Sequence, residues 1–175
     1  PRAGIFGGVT ETVGSNLDQA RQEDGNNHDG QAITYTLTRS GDLTKSTTVA
    51  WHLDFKGKTA SATDFADAQG VAYADGASVE GTAVFAAHSD TATIVLRPVK
   101  DITVESDETF AVVLDTTGLS ANGTRFAASN TNANGTLRND DVEITVVESA
   151  SVTESATGTV TITFTVSRSG DTANQ

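Results

Sequence analysis

Two stretches of this chain concentrate oxygen ligands. Asp101-Ile-Thr-Val-Glu105-Ser-Asp107-Glu108 gathers acidic side chains in a short run, and Asn139-Asp140-Asp141 adds two more beside an amide. Carboxylates packed this closely repel one another, and in water the usual remedy is a hard cation held by several oxygens, most often calcium. A solvated acidic turn is the alternative, since charge runs usually belong to such turns. The residue types alone leave both readings open.

Other chemistries find less support. His28, His52 and His88 are the histidines, and no Gly-x-Ser-x-Gly elbow accompanies them. His52 follows Trp51 in an alternating stretch and is expected to point outward, so the chain is not expected to be an enzyme. Neither a Walker loop nor a Gly-x-Gly-x-x-Gly fingerprint occurs, and the Gly-Gly-x-Gly-x-Asp repeat of calcium-binding β-rolls is missing. Asp24-Gly-Asn-Asn-His-Asp-Gly30 superficially resembles an EF-hand loop but lacks the Glu at its twelfth position and the flanking helices, and reads as a polar loop. Asn122-Gly-Thr124 and Asn134-Gly-Thr136 match the glycosylation acceptor pattern and read as turns. With no Cys there is no disulfide, thiolate zinc site or cysteine nucleophile.

Charge narrows the partners. The 175 residues carry 23 acidic and 11 basic side chains, a formal charge of −12, which disfavours the phosphate backbone of nucleic acid. No run of 18 apolar residues is present to cross a membrane. An apolar fraction of 37% suffices for a packed core. The lack of Met and of a charged-then-apolar leader reads as a segment of a longer chain.

The elements that must position the acidic residues are strands. Ile33, Tyr35 and Leu37 alternate with Thr34, Thr36 and Thr38 over Gln31 to Arg39, and Val49, Trp51, Leu53 and Phe55 repeat the pattern over Thr47 to Phe55. Further strands are predicted at Ala83 to Ala86, Ala92 to Val99, Thr109 to Asp115, Val142 to Glu148 and Thr159 to Arg168, separated by Gly, Asn, Asp and Ser clusters. Trp51 and its neighbours are assigned to the core rather than to a ligand platform. Short strands, polar turns and two prolines, Pro1 and Pro98, indicate an all-β, antiparallel sandwich. Ala32-Ile-Thr-Tyr-Thr-Leu-Thr-Arg-Ser-Gly-Asp42 also reads almost like Thr161-Ile-Thr-Phe-Thr-Val-Ser-Arg-Ser-Gly-Asp171, so a tandem repeat is expected.

Taken in order, Glu23-Asp24-Gly25, Arg39-Ser-Gly-Asp-Leu-Thr44, Thr63-Asp64-Phe65, Asp101 through Glu105 to Glu108-Thr-Phe110, and Asn139-Asp-Asp141 resemble the Calx-beta domain of sodium–calcium exchangers and bacterial surface proteins. The resemblance runs from about Gly4 to Asp141 and resumes over Val142 to Asp171, and the piece from Glu105 to Phe110 is its most specific part. It implies a seven-stranded immunoglobulin-like sandwich over residues 1–141 and the first strands of a second, incomplete repeat over 142–175. The ligands it implies for calcium are Glu23, Asp64, Asp101, Glu105, Glu108, Asp140 and Asp141, in loops at one end.

Two departures from the family lower the expected ion number. Strongly calcium-binding members tend to carry three aspartates where this chain has Val99-Lys100-Asp101, and the exit reads Asn139-Asp-Asp rather than three aspartates. A lysine ammonium can neutralise carboxylates without coordination. One or two calcium ions are expected, with none as the limiting case. The function expected is a calcium-stiffened structural or adhesive repeat of a large extracellular or cell-surface protein, with bacterial origin hinted by composition. Its partners would be neighbouring repeats or other copies of the same protein, assembling into filaments by strand exchange. The alternatives are a calcium-sensing regulatory domain, or a glycan- or protein-binding module accessory to an enzyme elsewhere in the parent chain.

Overall fold

A computed structural model describes residues 32–115, 131–139, 141–147, 153 and 156–170, together with the backbone of 5–11, 20–22 and 125–126. The strands are β1 (Ile5–Glu11), β2 (Ala20–Gln22), β3 (Ile33–Ser40), β4 (Thr47–Asp54), β5 (Phe65–Ala66), β6 (Glu80–Phe85), β7 (Thr91–Pro98), β8 (Glu108–Leu114), β9 (Arg125–Phe126), β10 (Asn132–Arg138), β11 (Val142–Val147) and β12 (Thr165–Gly170). They form one sheet in the order β5-β7-β3-β1-β9, a second in the order β2-β10-β8-β4-β6, and a separate pair, β11-β12. Seven strands of six to eight residues carry the two larger sheets, and β2, β5 and β9 are short additions at the margins. The all-β antiparallel sandwich expected from the alternation is therefore present. Two short pairings, β1 with β9 and β2 with β10, are parallel.

Alternation explains how the sheets meet. On β3 the side chains of Ile33, Tyr35, Leu37 and Arg39 are buried in strict alternation, and on β7 those of Ala92, Ile94, Leu96 and Pro98 follow the same rule. Opposite them stand Val49 and Leu53 of β4, Ala83 and Phe85 of β6, Phe110, Val112 and Leu114 of β8, and Leu137 of β10. The Phe65 ring meets the Phe110 ring edge-on at 5.0 Å, a favoured aromatic geometry. Trp51 packs against this core, with His52 exposed beside it as expected. The residue across from Trp51 is Gly81, where a Cβ would stand 2.8 Å from the indole, so the ring lies over bare backbone.

The expected strands differ from the structure in several places. β1, β10 and the short β2, β5 and β9 do not figure among them. Over β10, Asn132-Ala-Asn-Gly-Thr-Leu-Arg138 has almost no apolar alternation. Its place is fixed by Gly135, paired with Phe110, where a Cβ would collide with the Phe110 ring and stand 2.5 Å from the Tyr35 hydroxyl. Within the expected strand Thr159 to Arg168, only Thr165 onward is paired, and β12 runs on to Gly170. The pairing with β11 ends at Val147↔Thr165, so among the described residues no strand pairs with Val160, Ile162 and Phe164, which are exposed.

The Arg-Ser-Gly-Asp turn after β3 is held from within. Arg39 is only 6% exposed, donates to the carbonyls of Ser89, Lys45 and Ala86 and to the Thr47 hydroxyl at 2.8–2.9 Å, and lies 5.2 Å from the centre of the Phe85 ring. Asp42 accepts from the Thr44 hydroxyl at 2.6 Å and the Thr44 amide at 3.0 Å, and these bonds hold its carboxyl below the usual range.

Candidate metal centre

The acidic residues sit where β7 ends, β8 begins and β10 leaves the sandwich. Phe65 pairs with Pro98 at the end of β7, and the Val99 amide donates to the Asp64 carbonyl at 2.9 Å, so the Thr63-Asp64-Phe65 segment lies against the start of the Lys100-Asp101 segment. Ser61 and Asp64 close a 3₁₀ turn as a capping box. Oδ2 of Asp64 accepts from the Ser61 amide at 2.6 Å and from its hydroxyl at 3.0 Å, which fixes the carboxylate.

The same turn is laced to β8. The Thr109 amide donates to the Thr59 hydroxyl at 2.8 Å, and the Ala60 amide donates to the Thr109 carbonyl at 3.0 Å. This stitching brings Asp64 beside Glu108, the first residue of β8. Glu108 in turn pairs with Leu137 on β10, two residues before Asn139.

The electrostatics of Glu108 record the crowding. Burial pushes its carboxyl up to about 7, aided by the Asp64 charge, a hydrogen bond shared with Asp64, and the charges of Glu105 and Asp101. Its Oε2 atom is buried with no hydrogen-bond partner among the described residues. A half-buried carboxyl facing three other carboxylates is a strongly electronegative site. The donors are all hard oxygens, so the set suits calcium rather than a thiophilic metal.

Of the seven residues expected as ligands, Asp64, Asp101, Glu105 and Glu108 therefore share one electrostatic neighbourhood. Asp141 follows β10, with its Oδ2 atom buried. Glu23 and Asp140 lie outside the described residues. Among the described residues no three acidic or histidine side chains converge at ligating distance. Asp101 uses Oδ1 to accept from the Thr103 amide at 2.6 Å. Lys100, expected to stand in for a cation, is exposed.

Sequence reading missed Thr59 and Ser61, and noted Asn139 only as the amide in the exit motif. The Ser61-x-x-Asp64 spacing is a legible capping signature. Asn139 carries no signal beyond its place next to two aspartates.

No family model and no curated protein matches the chain. Solved structures do. The calcium binding domain CBD12 of CALX1.1 matches with a TM-score of 0.52 and 20% identity, over 79% of this chain and 44% of that one. CBD12 from CALX1.2 matches with a TM-score of 0.51 and 20% identity, over 72% and 44% respectively. The fold is Calx-beta-like. The chain thus spans under half the length of these matched structures, and at 20% identity the likeness speaks for the Calx-beta architecture alone.

Proposed function

We propose that the chain is a calcium-binding, non-enzymatic Calx-beta-like module that serves as a calcium-stiffened structural or adhesive repeat of an extracellular or cell-surface protein. One observation carries the calcium reading: Glu108 is raised to about 7 by burial and by Asp64, Glu105 and Asp101, with a buried oxygen that has no hydrogen-bond partner among the described residues. Asp64, Asp101, Glu105, Glu108 and Asp141 would hold one or two ions, joined by Glu23 and Asp140 from the family resemblance. A bound calcium would supply positive charge to this cluster of carboxylates. The protein's own contribution is rigid placement, through the Ser61–Asp64 capping box and the Thr59–Thr109 stitching.

The repeat reading has its own support. β1 pairs antiparallel with β3, setting Phe6 against Arg39, and β11 pairs antiparallel with β12, setting Ile144 against Arg168. Gly41 and Gly170, two residues after each arginine, both take positive φ, at 105° and 95°. Residues 142–175 would then open a second unit, with calcium fixing the angle between units at the Asn139–Asp141 exit. The partners would be neighbouring repeats or other copies.

The test is a calcium titration of the chain followed by thermal unfolding and calorimetry. Binding to the native state alone adds about 2.7 kcal/mol at a hundredfold excess over Kd. Glu105→Ala and Asp141→Ala should remove that gain, and Asp75→Ala, on an exposed turn, should keep it. An unfolding midpoint indifferent to calcium and to chelator would refute the proposal. A Kd near millimolar fits the structural role, and a much tighter one would favour a calcium-sensing role.

A further inference from the structure

Position 139 breaks the acidic exit motif with an amide, and the structure gives that amide a task. Asn139 is 7% exposed, one of the two buried polar residues among the described ones. Its Nδ2 donates to the Glu105 carbonyl at 2.8 Å and to the Thr103 carbonyl at 3.4 Å, both in the acidic loop between β7 and β8. Its Oδ1 accepts from the Asp141 amide at 2.6 Å. One side chain therefore bonds the backbone of the loop that presents Asp101 and Glu105 and the backbone of the exit residue Asp141.

We infer that Asn139 is a positioning residue that ties the acidic loop to the exit of β10, so that the two halves of the candidate calcium site are held as one piece. The inference deepens the calcium reading and rests on it for its ligand. The chemistry demands an amide. An ionised carboxylate has acceptors only, so an aspartate here could still receive the Asp141 amide but could not donate to Glu105 or Thr103, and would face their carbonyl oxygens with a negative charge. The loop carbonyls would lose their donor inside a buried site. Residues that orient metal ligands from behind commonly matter tenfold or more to affinity.

This reading and the alternative, that Asn139 is a ligand position weakened from aspartate, predict opposite signs. Asn139→Asp adds a carboxylate next to the site. If Asn139 positions the loop, calorimetric titration of the 175-residue chain should show calcium affinity falling about tenfold. The Asp141 amide should keep its hydrogen-exchange protection in Asn139→Asp, which retains the acceptor, and lose it in Asn139→Ala, which does not. Should Asn139→Asp fail to fold, Asn139→Ala still tests the tie, because it removes the loop bonds without adding charge, and its calcium affinity should fall likewise. Equal or tighter calcium binding by either variant would overturn the inference. If the unmodified chain gives no calcium signal, the calcium reading falls, and the tie is judged in chelator alone. There the Asn139→Asp midpoint should lie below that of the unmodified chain, and an unchanged midpoint would overturn it.

Discussion

Replacing Glu108 with glutamine should make the protein more stable in chelator and less stable in calcium. In the folded chain the carboxyl holds its proton up to about 7, whereas the ordinary value is 4.5. Between those two pH values the unfolded chain has released a proton that the folded chain keeps, so stability falls as pH rises through the window. Each pH unit is worth about 1.4 kcal/mol, which would total roughly 3 kcal/mol. Because Glu108 is only partly buried, solvent screening reduces this to about 1–2 kcal/mol. Glutamine keeps the shape and removes the charge. Thermal unfolding in chelator at pH 8 should place Glu108→Gln above the unmodified chain by roughly 3–8 °C, and at pH 4.5 the two should converge. In saturating calcium the order should reverse, since the amide is a poorer ligand for a hard divalent ion. Identical midpoints in chelator at pH 8 would refute the crowding argument, and an unreversed order in calcium would remove Glu108 from the site.

Two further outcomes follow from the packing. Gly135→Ala should lower stability by about 1–3 kcal/mol in denaturant unfolding, because the Phe110 ring and the Tyr35 hydroxyl occupy the space a methyl group needs. Arg39→Ala should cost roughly 2–4 kcal/mol by stripping donors from three carbonyls and a hydroxyl, whereas Arg168→Ala, at the matching place on exposed β12, should stay within about 0.5 kcal/mol. Equal effects of the two substitutions would mean that Arg39 is not anchored as described.

The sandwich was legible in the sequence wherever one face of a strand is apolar. β3, β4 and β7 alternate clearly enough that their buried residues could be named from the residue types, whereas β8 is an apolar run in which Phe110, Ala111 and Val112 are all buried. β10 was illegible for a physical reason: its neighbours demand the absence of a side chain at Gly135, and missing volume leaves no hydrophobic mark. The acidic neighbourhood was legible as composition, and the family resemblance added Asp64 from a distant segment. The stitching that brings Asp64 to Glu108 was not, since Thr59 and Thr109 are ordinary strand-flanking threonines until the turn sets one against the other. Asn139 could be seen only as a missing charge, because its value lies in two donor hydrogens whose acceptors are main-chain carbonyls more than thirty residues away.

The β11-β12 pair leaves the molecule with two tiers of cooperativity. Ile144 is 68% and Val166 63% exposed on one face and Val147 55% on the other, so among the described residues neither face of this ribbon is covered. A two-stranded ribbon is marginal in water without a third strand or a packing partner. Such a segment opens on its own, at a free energy far below that of global unfolding. The sandwich, with the rings of Tyr35, Phe65, Phe85 and Phe110 shut away completely, opens only as a whole. Denaturant would then be felt in two stages, and a protease would trim the ribbon back toward Asp141 long before it found a cut within the sheets.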